Sequence, residues 1–380
     1  MSEIKVNSIK GVGATNAAIT VNNSDGTCTA NITNKPNRNL IINGGVTIHQ
    51  RGGTHTHSGG STNYYGPDRF FHNCTGNGKT SIQQSTDAPN GFTNSLLITT
   101  TTQAATASSD IAYVGQYIEA NNMTQLGWGA SGAKTATLSF YVKSSLTGNF
   151  AVWTAFRDST ASNHFVFTIN NANTWERKTI TIPALTSGGV ASGSGRGVSV
   201  QFDTGTGSAK NGTAGTWSLD LNNLTESGTV KLTANAGATL QVTGVQLEVG
   251  SVATDFEHRS FAQELALCQR YFHTLEGDDN DFLAIGLSVN AGNHYMIHHF
   301  PQPMRINPSY SSTSTNVDLL TADSSSNINA NTLAIVGPVT TPNPTLCWLY
   351  GNTSNTTTGG QACIWRPNAD GLVMSFSAEL

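Results

Sequence analysis

The sequence predicts a mainly β protein assembled in series: an extended N-terminal oligomerisation arm, a jelly-roll β-sandwich, a short connector helix and a C-terminal β-sandwich. Three observations carry this. Thr, Asn, Ser and Gly dominate a chain of 380 residues of which 11% are charged, a composition suited to short strands joined by tight turns. Six Trp, fifteen Phe and many alternating apolar runs separate it from a disordered chain. Near residue 260 the apolar period changes from two residues to a helical stripe.

Residues 1–66 form the arm. Ile4, Val6 and Ile9, then Ala17, Ile19 and Val21, then Leu40, Ile41 and Ile42 read as short extended pieces punctuated by Asn23-Ser24-Asp25-Gly26. They are too thinly apolar to bury a core alone, so the arm is expected to borrow core from other copies. Residues 52–66 read as a flexible polar loop.

Residues 67–256 carry the clearest alternation. Leu138, Phe140 and Val142 share one strand face. Phe150, Val152, Thr154 and Phe156 oppose Ala151, Trp153, Ala155 and Arg157. Phe165, Phe167 and Ile169, then Ile180 and Ile182, then Val198, Val200 and Phe202, and finally Trp217, Leu219 and Leu221 repeat the pattern. About eight such strands, each with one apolar face, imply a two-sheet sandwich or jelly roll. Leu240 and Val242 are out of phase with Val245, Leu247 and Val249, which places a β-bulge at Gly244.

Residues 257–275 form the connector. Ser260 with Gln263 reads as a capping box, and Phe261, Leu265, Cys268 and Phe272 as a helical stripe ending near His273 and Thr274. Residues 276–380 return to β-patterning, including Cys347–Tyr350, Ala362–Trp365 and Leu372–Phe376.

The net charge of −4, without a basic run or acidic tail, excludes a nucleic-acid or anionic-membrane partner from the expected functions. There is no apolar run of signal-peptide or membrane-spanning length, so a chain made in the cytosol and not inserted in a membrane is expected. Cys28, Cys74, Cys268, Cys347 and Cys363 match no zinc or redox spacing and read as reduced structural thiols.

Several motifs resemble those of bacteriophage tail-fibre and tail-spike proteins with a carbohydrate-binding-module-like jelly roll. Val245-Gln246-Leu247-Glu248-Val249-Gly250 resembles their closing strand. Thr254-Asp255-Phe256-Glu257-His258-Arg259 resembles the turn that follows, and Glu264-Leu265-Ala266-Leu267-Cys268-Gln269-Arg270-Tyr271-Phe272 the next helix. Asn43-Gly44, Gln50-Arg51-Gly52 and Asp68-Arg69-Phe70 are similar to their lead-in, Asn173–Arg177 to their Trp-bearing strand, and Phe300-Pro301 with Pro303-Met304-Arg305 to the start of their C-terminal domain. The resemblance covers Arg38 to Arg305 in patches; the His-rich stretch between Gln50 and Asp68 departs from it. It implies a virion structural protein, located in the tail and assembled in the host cytoplasm. It further implies a homotrimer that contacts other tail or adaptor proteins through the arm and helps bind a host-surface glycan. A head fibre or capsid decoration protein without a receptor role, and a polysaccharide depolymerase, remain alternatives.

If the alternation holds, the jelly-roll face opposite the core carries Tyr141, Trp153, Arg157, His164, Gln201 and Asp203. Sugars stack C–H faces on aromatic rings while polar side chains hold their hydroxyls, so these six are the candidate glycan-binding residues. For Tyr141 and Trp153, burial against a neighbouring domain or subunit is the competing reading. Trp175 is a weaker candidate, and Trp128 is a candidate for the rim. His55 and His57 lie on one side of an extended chain, and three such pairs around a trimer axis would offer six nitrogens to an octahedral ion such as iron, as in some phage fibres. No other cofactor is expected. His294, His298 and His299 read as surface or interface residues, and Asp278–Asp281 as a solvated turn. No nucleophile elbow, phosphate loop or metallohydrolase signature is present, so no enzymatic activity is expected.

Overall fold

Leu138, Phe140 and Val142 point inward from one strand and are fully buried, and comparable inward rows recur along the jelly roll. The computed structural model describes residues 7–10, 12, 19–21, 28–30, 36–60, 63–156, 158, 161–188, 192–290, 292–314, 317–321, 328–336, 344–353 and 359–380. The chain is mainly β, with antiparallel sheets throughout. Three short strands, β1 (Ser8–Ile9), β2 (Ile19–Val21) and β3 (Cys28–Ala30), pair in that order in the arm.

The jelly roll contains β4 (Thr54–Thr56), β5 (Tyr64–Tyr65), β6 (Phe71–Cys74), β7 (Lys79–Ser85), β8 (Ser95–Thr102) and β9 (Ala112–Glu119). It continues through β10 (Ala136–Ser144), β11 (Gly148–Phe156), β12 (Ala161–Ile169), β13 (Glu176–Ile182), β14 (Arg196–Asp203) and β15 (Thr239–Val249). One sheet runs β13-β10-β15-β8-β7-β4 and the other β12-β11-β14-β9-β6-β5. Their inner faces meet in one core, where Phe140 packs edge-on against Phe167 and Phe202 at 5.2 and 5.0 Å between centroids. Each such ring contributes roughly 1.5–3 kcal/mol by its burial.

Three sequence expectations change within residues 1–256. The sheets cross the boundary at residue 66: β4 and β5 are their edge strands, and Leu40, Ile41 and Val46 fill the core. Backbone bonds from Leu40 N to Leu247 O (2.9 Å) and from Val245 N to Gly44 O (3.0 Å) hold that segment in place. The stretch read as a flexible loop therefore contains two paired strands. Trp217–Leu221 is not a strand; Ser218 makes one isolated bridge to Ser162 on β12, and Leu219 lies exposed. Alternation there lacks a continuous partner strand, which β-structure requires.

The bulge is where the phase slip places it. Ser139 pairs with Gln246 and Tyr141 with Thr243, so Phe140 faces two residues, and Gly244 adopts φ +60.

The connector helix, α1 (Phe261–Gln269), has the expected capping box between Ser260 and Gln263. It ends earlier than its apolar stripe. Ala378 N–H donates to Tyr271 O at 2.7 Å, and Phe272 pairs with Ser377, so residues from 272 onward are drawn into a sheet. Cys268 of the helix and Tyr271 just beyond it pack against Ile42 and Ile48.

The motif residues converge on this junction. Thr254 donates from N to Glu248 Oε1 (2.9 Å) and from Oγ1 to Glu248 Oε2 (2.7 Å), folding the turn back onto β15. Glu257 accepts from the backbone N–H groups of Asn37 and Asn39, and Arg259 donates to the carbonyls of Asn39 and Ile41. Glu264 accepts from Asn43 N. Arg270 forks onto Glu119 at 2.9 and 2.7 Å, and the Tyr271 hydroxyl adds 2.7 Å to the same carboxylate. Arg69 lies over the Tyr271 ring at 3.6 Å and pairs with Glu379. Arg305 donates to Ser194 O (2.8 Å) across to the jelly roll.

The expected C-terminal sandwich takes the form of a barrel with a small sheet. The strands are β16 (Phe272–Gly277), β17 (Ala284–Asn290), β18 (Asn293–His299), β19 (Ser309–Ser312), β20 (Val317–Thr321), β21 (Ile328–Val336), β22 (Leu346–Thr353), β23 (Gln361–Pro367) and β24 (Leu372–Ser377). β17-β18-β22-β21-β20-β23 close on themselves, and β16-β24-β19 form the sheet. Trp365, Met374 and Phe376 are fully buried in their shared core. Cys74, Cys268, Cys347 and Cys363 are free and buried, as expected of structural thiols.

Candidate functional site

The six residues expected on one glycan-facing surface do not share one. Tyr141 lies on β10, whereas Trp153, His164, Gln201 and Asp203 lie on β11, β12 and β14 of the opposite sheet. Arg157 lies outside the described residues.

The second group is covered by the chain itself. Trp153 is 1% exposed and packs with Phe71, Tyr113, Tyr117 and Leu224; its indole N–H donates to Gln201 Oε1. His164 is fully buried, with Nδ1 2.7 Å from Asn223 Oδ1. Asp203 accepts from the N–H groups of Gly205 (2.9 Å) and Thr206 (2.7 Å), from Thr225 Oγ1 (2.8 Å) and from Lys231 Nζ (2.9 Å). The long β14–β15 connection supplies Asn223, Leu224, Thr225 and Lys231, and so turns an outward face into a second interior. These four residues therefore serve packing and loop anchoring; the burial expected for Trp153 is present, but the covering surface belongs to the same domain and not to a neighbouring domain or subunit.

Tyr141 has a different setting. On the outer face of its sheet it packs against Phe92 at 5.4 Å. Phe92 in turn meets Phe256 at 5.0 Å and His258 at 5.4 Å, and Phe256 meets His258 at 4.9 Å. Phe92 arrives from the β7–β8 loop, where its N–H closes a turn onto Pro89 O (3.1 Å). Phe256 and His258 arrive from the connector turn that Glu248 pins down. Gly244 makes the approach possible: a Cβ there would stand 2.6 Å from Phe92 Cζ and 3.1 Å from Tyr141 Cδ2. Phe92, Tyr141 and Phe256 stay partly exposed and His258 is exposed.

Polar groups flank these rings. Arg177 stands opposite Tyr141 in register and donates to Thr254 O (2.8 Å). Lys143 pairs with Asp87 and lies 5.2 Å from the centre of the Trp175 ring, whose N–H reaches Asp87 at 3.2 Å. The Lys143 hydrogen bond holds the Asp87 carboxyl below the usual carboxylate range. The weaker candidate Trp175 thus belongs to this face. A cavity of about 190 Å³ adjoins it, lined by Thr47, Phe92, Thr93, Phe256 and His258 among others. The arrangement offers ring faces for stacking beside a guanidinium, an ammonium and a carboxylate for hydroxyls.

Phe92 was not legible as a site residue, because it sits in a loop outside any alternation. The one signal was a large aromatic directly after Pro89-Asn90-Gly91, where small polar residues are usual.

Trp128 does not form a rim. It is buried, donates to Lys134 O (2.6 Å) and packs with Phe156 and Trp217. His55 lies 2.8 Å through Nε2 from Gly52 O. His57 is 1% exposed, with Nδ1 and Nε2 3.0 and 3.3 Å from the backbone N–H groups of Gly59 and Cys74. Its imidazole is turned into the chain between Tyr64 and His72. Among the described residues no group of three or more His, Cys, Asp or Glu could hold a metal ion. His294 is fully buried against Ser288 Oγ (2.8 Å), contrary to a surface role.

No family model and no curated protein matches this chain. Among solved structures it is similar to the enzymatically active domain of tailspike protein 4 of bacteriophage CBA120. That match has 12% identity and a TM-score of 0.31, over 58% of this chain and 24% of that one. It is similar to a protein of Bacteroides thetaiotaomicron described as sugar-binding, with 13% identity and a TM-score of 0.31, over 56% of this chain and all of that one. The family 11 carbohydrate-binding module of a cellulosomal cellulase of Clostridium thermocellum matches with 12% identity and a TM-score of 0.27, over 52% of this chain and 99% of that one. The chain therefore spans about a quarter of the tailspike chain's length.

Proposed function

We propose that this chain is a tail-fibre-type virion adhesin that binds a host-surface glycan on the outer face of the Tyr141 sheet. The observation that carries this is the partly exposed ring cluster of Phe92, Tyr141, Phe256 and His258, bordered by Arg177, Lys143 and Asp87. Solvent-facing rings on a polar sheet face are costly unless they meet a ligand, and a pyranose presents the C–H face that fits them. The motifs shared with tail-fibre proteins support the same reading, since in this chain they build the junction that sets the ring cluster in place. The arm joins the fibre to tail or adaptor proteins, and the assembled protein is a homotrimer. Avidity then lets weak single-site contacts retain a virion. In this reading the chain binds without cleaving.

A glycan array probed with the full chain and with Tyr141→Ala tests the proposal. The wild type is expected to retain host-surface glycans and the variant to lose them. Wild-type silence across host-derived glycans would overturn the adhesin reading. Immunogold microscopy of virions tests location, and label on the capsid would favour a head fibre or decoration protein. Release of reducing sugar from host polysaccharide would replace adhesion by depolymerisation.

A further inference from the structure

Strand β17 carries its larger apolar side chains on the outside of the barrel. Ala284, Gly286 and Ser288 alternate with Ile285, Leu287 and Val289, which are 64, 48 and 52% exposed. The inward positions are small because the interior is full: a Cβ on Gly286 would stand 2.6 Å from Trp365 Nε1. An antiparallel sheet with one face in water ordinarily presents polar residues there.

The register turns this strand into a surface. Ile285 lies opposite Ile364 on β23, and Ile364 lies opposite Leu320 on β20. On the other side, Ile297 of β18 stands one position beyond the Gly286–Met296 pair and extends the row, half exposed. A second row crosses the same strands through Ala362, Leu287 and Tyr295. No Asp, Glu, Lys or Arg occupies these seven positions.

We propose that this barrel face is the surface through which copies of this chain associate. The inference rests on the self-association part of the proposed function and gives it a location. The exposed aliphatic side chains present on the order of 500 Å² of apolar surface, comparable to the apolar centre of an interface that buries about 800 Å² per partner. These rows, bordered by the Asp318–Arg366 register pair, carry no charge with which to select a charged partner, whereas aliphatic rows complement another copy of themselves. The outer face around Trp153 is closed by the chain's own β14–β15 connection, while among the described residues nothing covers Ile285, Leu287 or Ile364 to that degree.

The test is the mass of the full chain by sedimentation equilibrium across a concentration series, for wild type and for Ile285→Thr/Ile364→Thr. Threonine keeps strand preference and removes apolar surface. The wild type is expected to be oligomeric, and the variant to weaken association by at least about a hundredfold while keeping the wild-type circular dichroism spectrum. A variant as oligomeric as the wild type would overturn the surface but leave the homotrimer standing. A monomeric wild type would overturn both and leave glycan binding to its own assay. Should the variant unfold, hydrogen exchange on the wild type decides. Protection of β17 and β23 that rises with concentration supports the proposal, and protection independent of concentration overturns it.

Discussion

His273 and His298 meet edge to edge, their ring planes 8° from parallel and their Nε2 atoms 3.1 Å apart. At that separation one Nε2 carries the proton and the other accepts it, so at most one of the two rings can be cationic. Phe376 stacks on both rings, at 6.0 and 5.1 Å, and Phe300 meets them edge-on. Burial in this apolar setting lowers both imidazoles to about 4, with His273 and His299 adding to the effect on His298. The stack joins β16 to β18 and so ties the small sheet to the barrel.

Acid should therefore weaken the fold in a defined window. Burial, with neighbouring cationic groups, also lowers His49 to about 4 and His72 to about 3. Unfolded histidines titrate near 6.5. Between 6.5 and about 4 the unfolded chain thus binds more protons than the folded one, and stability falls as pH falls through that range. Above pH 6.5 the contribution is complete. Urea midpoints measured from pH 7.5 to 4 should decline, and His273→Phe/His298→Phe should show a shallower decline. A slope unchanged by that double substitution would contradict the assignment.

Glu119 ties the connector to the jelly roll. Burial raises its carboxyl, but the hydrogen bonds from Arg270 and Tyr271 outweigh this and leave it below the usual range. Glu119→Gln removes the charge from a two-pronged contact, and the expected loss in urea unfolding is about 2 kcal/mol. Arg270→Lys should not restore the contact, because lysine lacks the planar fork.

Gly244→Ala should disturb stability and the ring cluster together. The added methyl meets Phe92 and Tyr141 in a backbone held at φ +60, and a loss of roughly 1–2 kcal/mol is expected. Fluorescence of the nearby tyrosine and thermal unfolding report the two effects. Gain of stability would show the bulge to be unstrained by a side chain.

Phe92→Ala and Trp153→Ala separate binding from folding. Phe92 is partly exposed, so its loss should reduce glycan retention with a modest change in melting temperature. Trp153 is buried, and its truncation should cost about 3–5 kcal/mol. At temperatures where that variant remains folded, glycan retention should match the wild type. Selective loss of binding in Trp153→Ala would move the ligand to the opposite sheet.

Local periodicity was enough to read much of this protein. Inward rows such as Leu138-Phe140-Val142, the phase slip at Gly244 and the Ser260–Gln263 cap each depend on neighbours within a few residues, where a period of two or 3.6 and one permissive glycine decide the conformation. Alternation distinguishes the two faces of a strand. What lies over the outward face depends on residues far along the chain. Leu224 and Asn223 return from the β14–β15 connection to bury Trp153 and His164, while Phe92 and Phe256 come from two separate loops to meet Tyr141. The helix end follows the same division: the apolar stripe runs on to Phe272, but pairing with Ser377, more than a hundred residues later, takes that residue into a sheet. Local sequence thus marked the long strands of the jelly roll, the bulge and the cap, but not the short edge strands β4 and β5 or the irregular path of Trp217–Leu221. Tertiary structure decided which outward side chains meet water, because only packing between distant segments settles that competition.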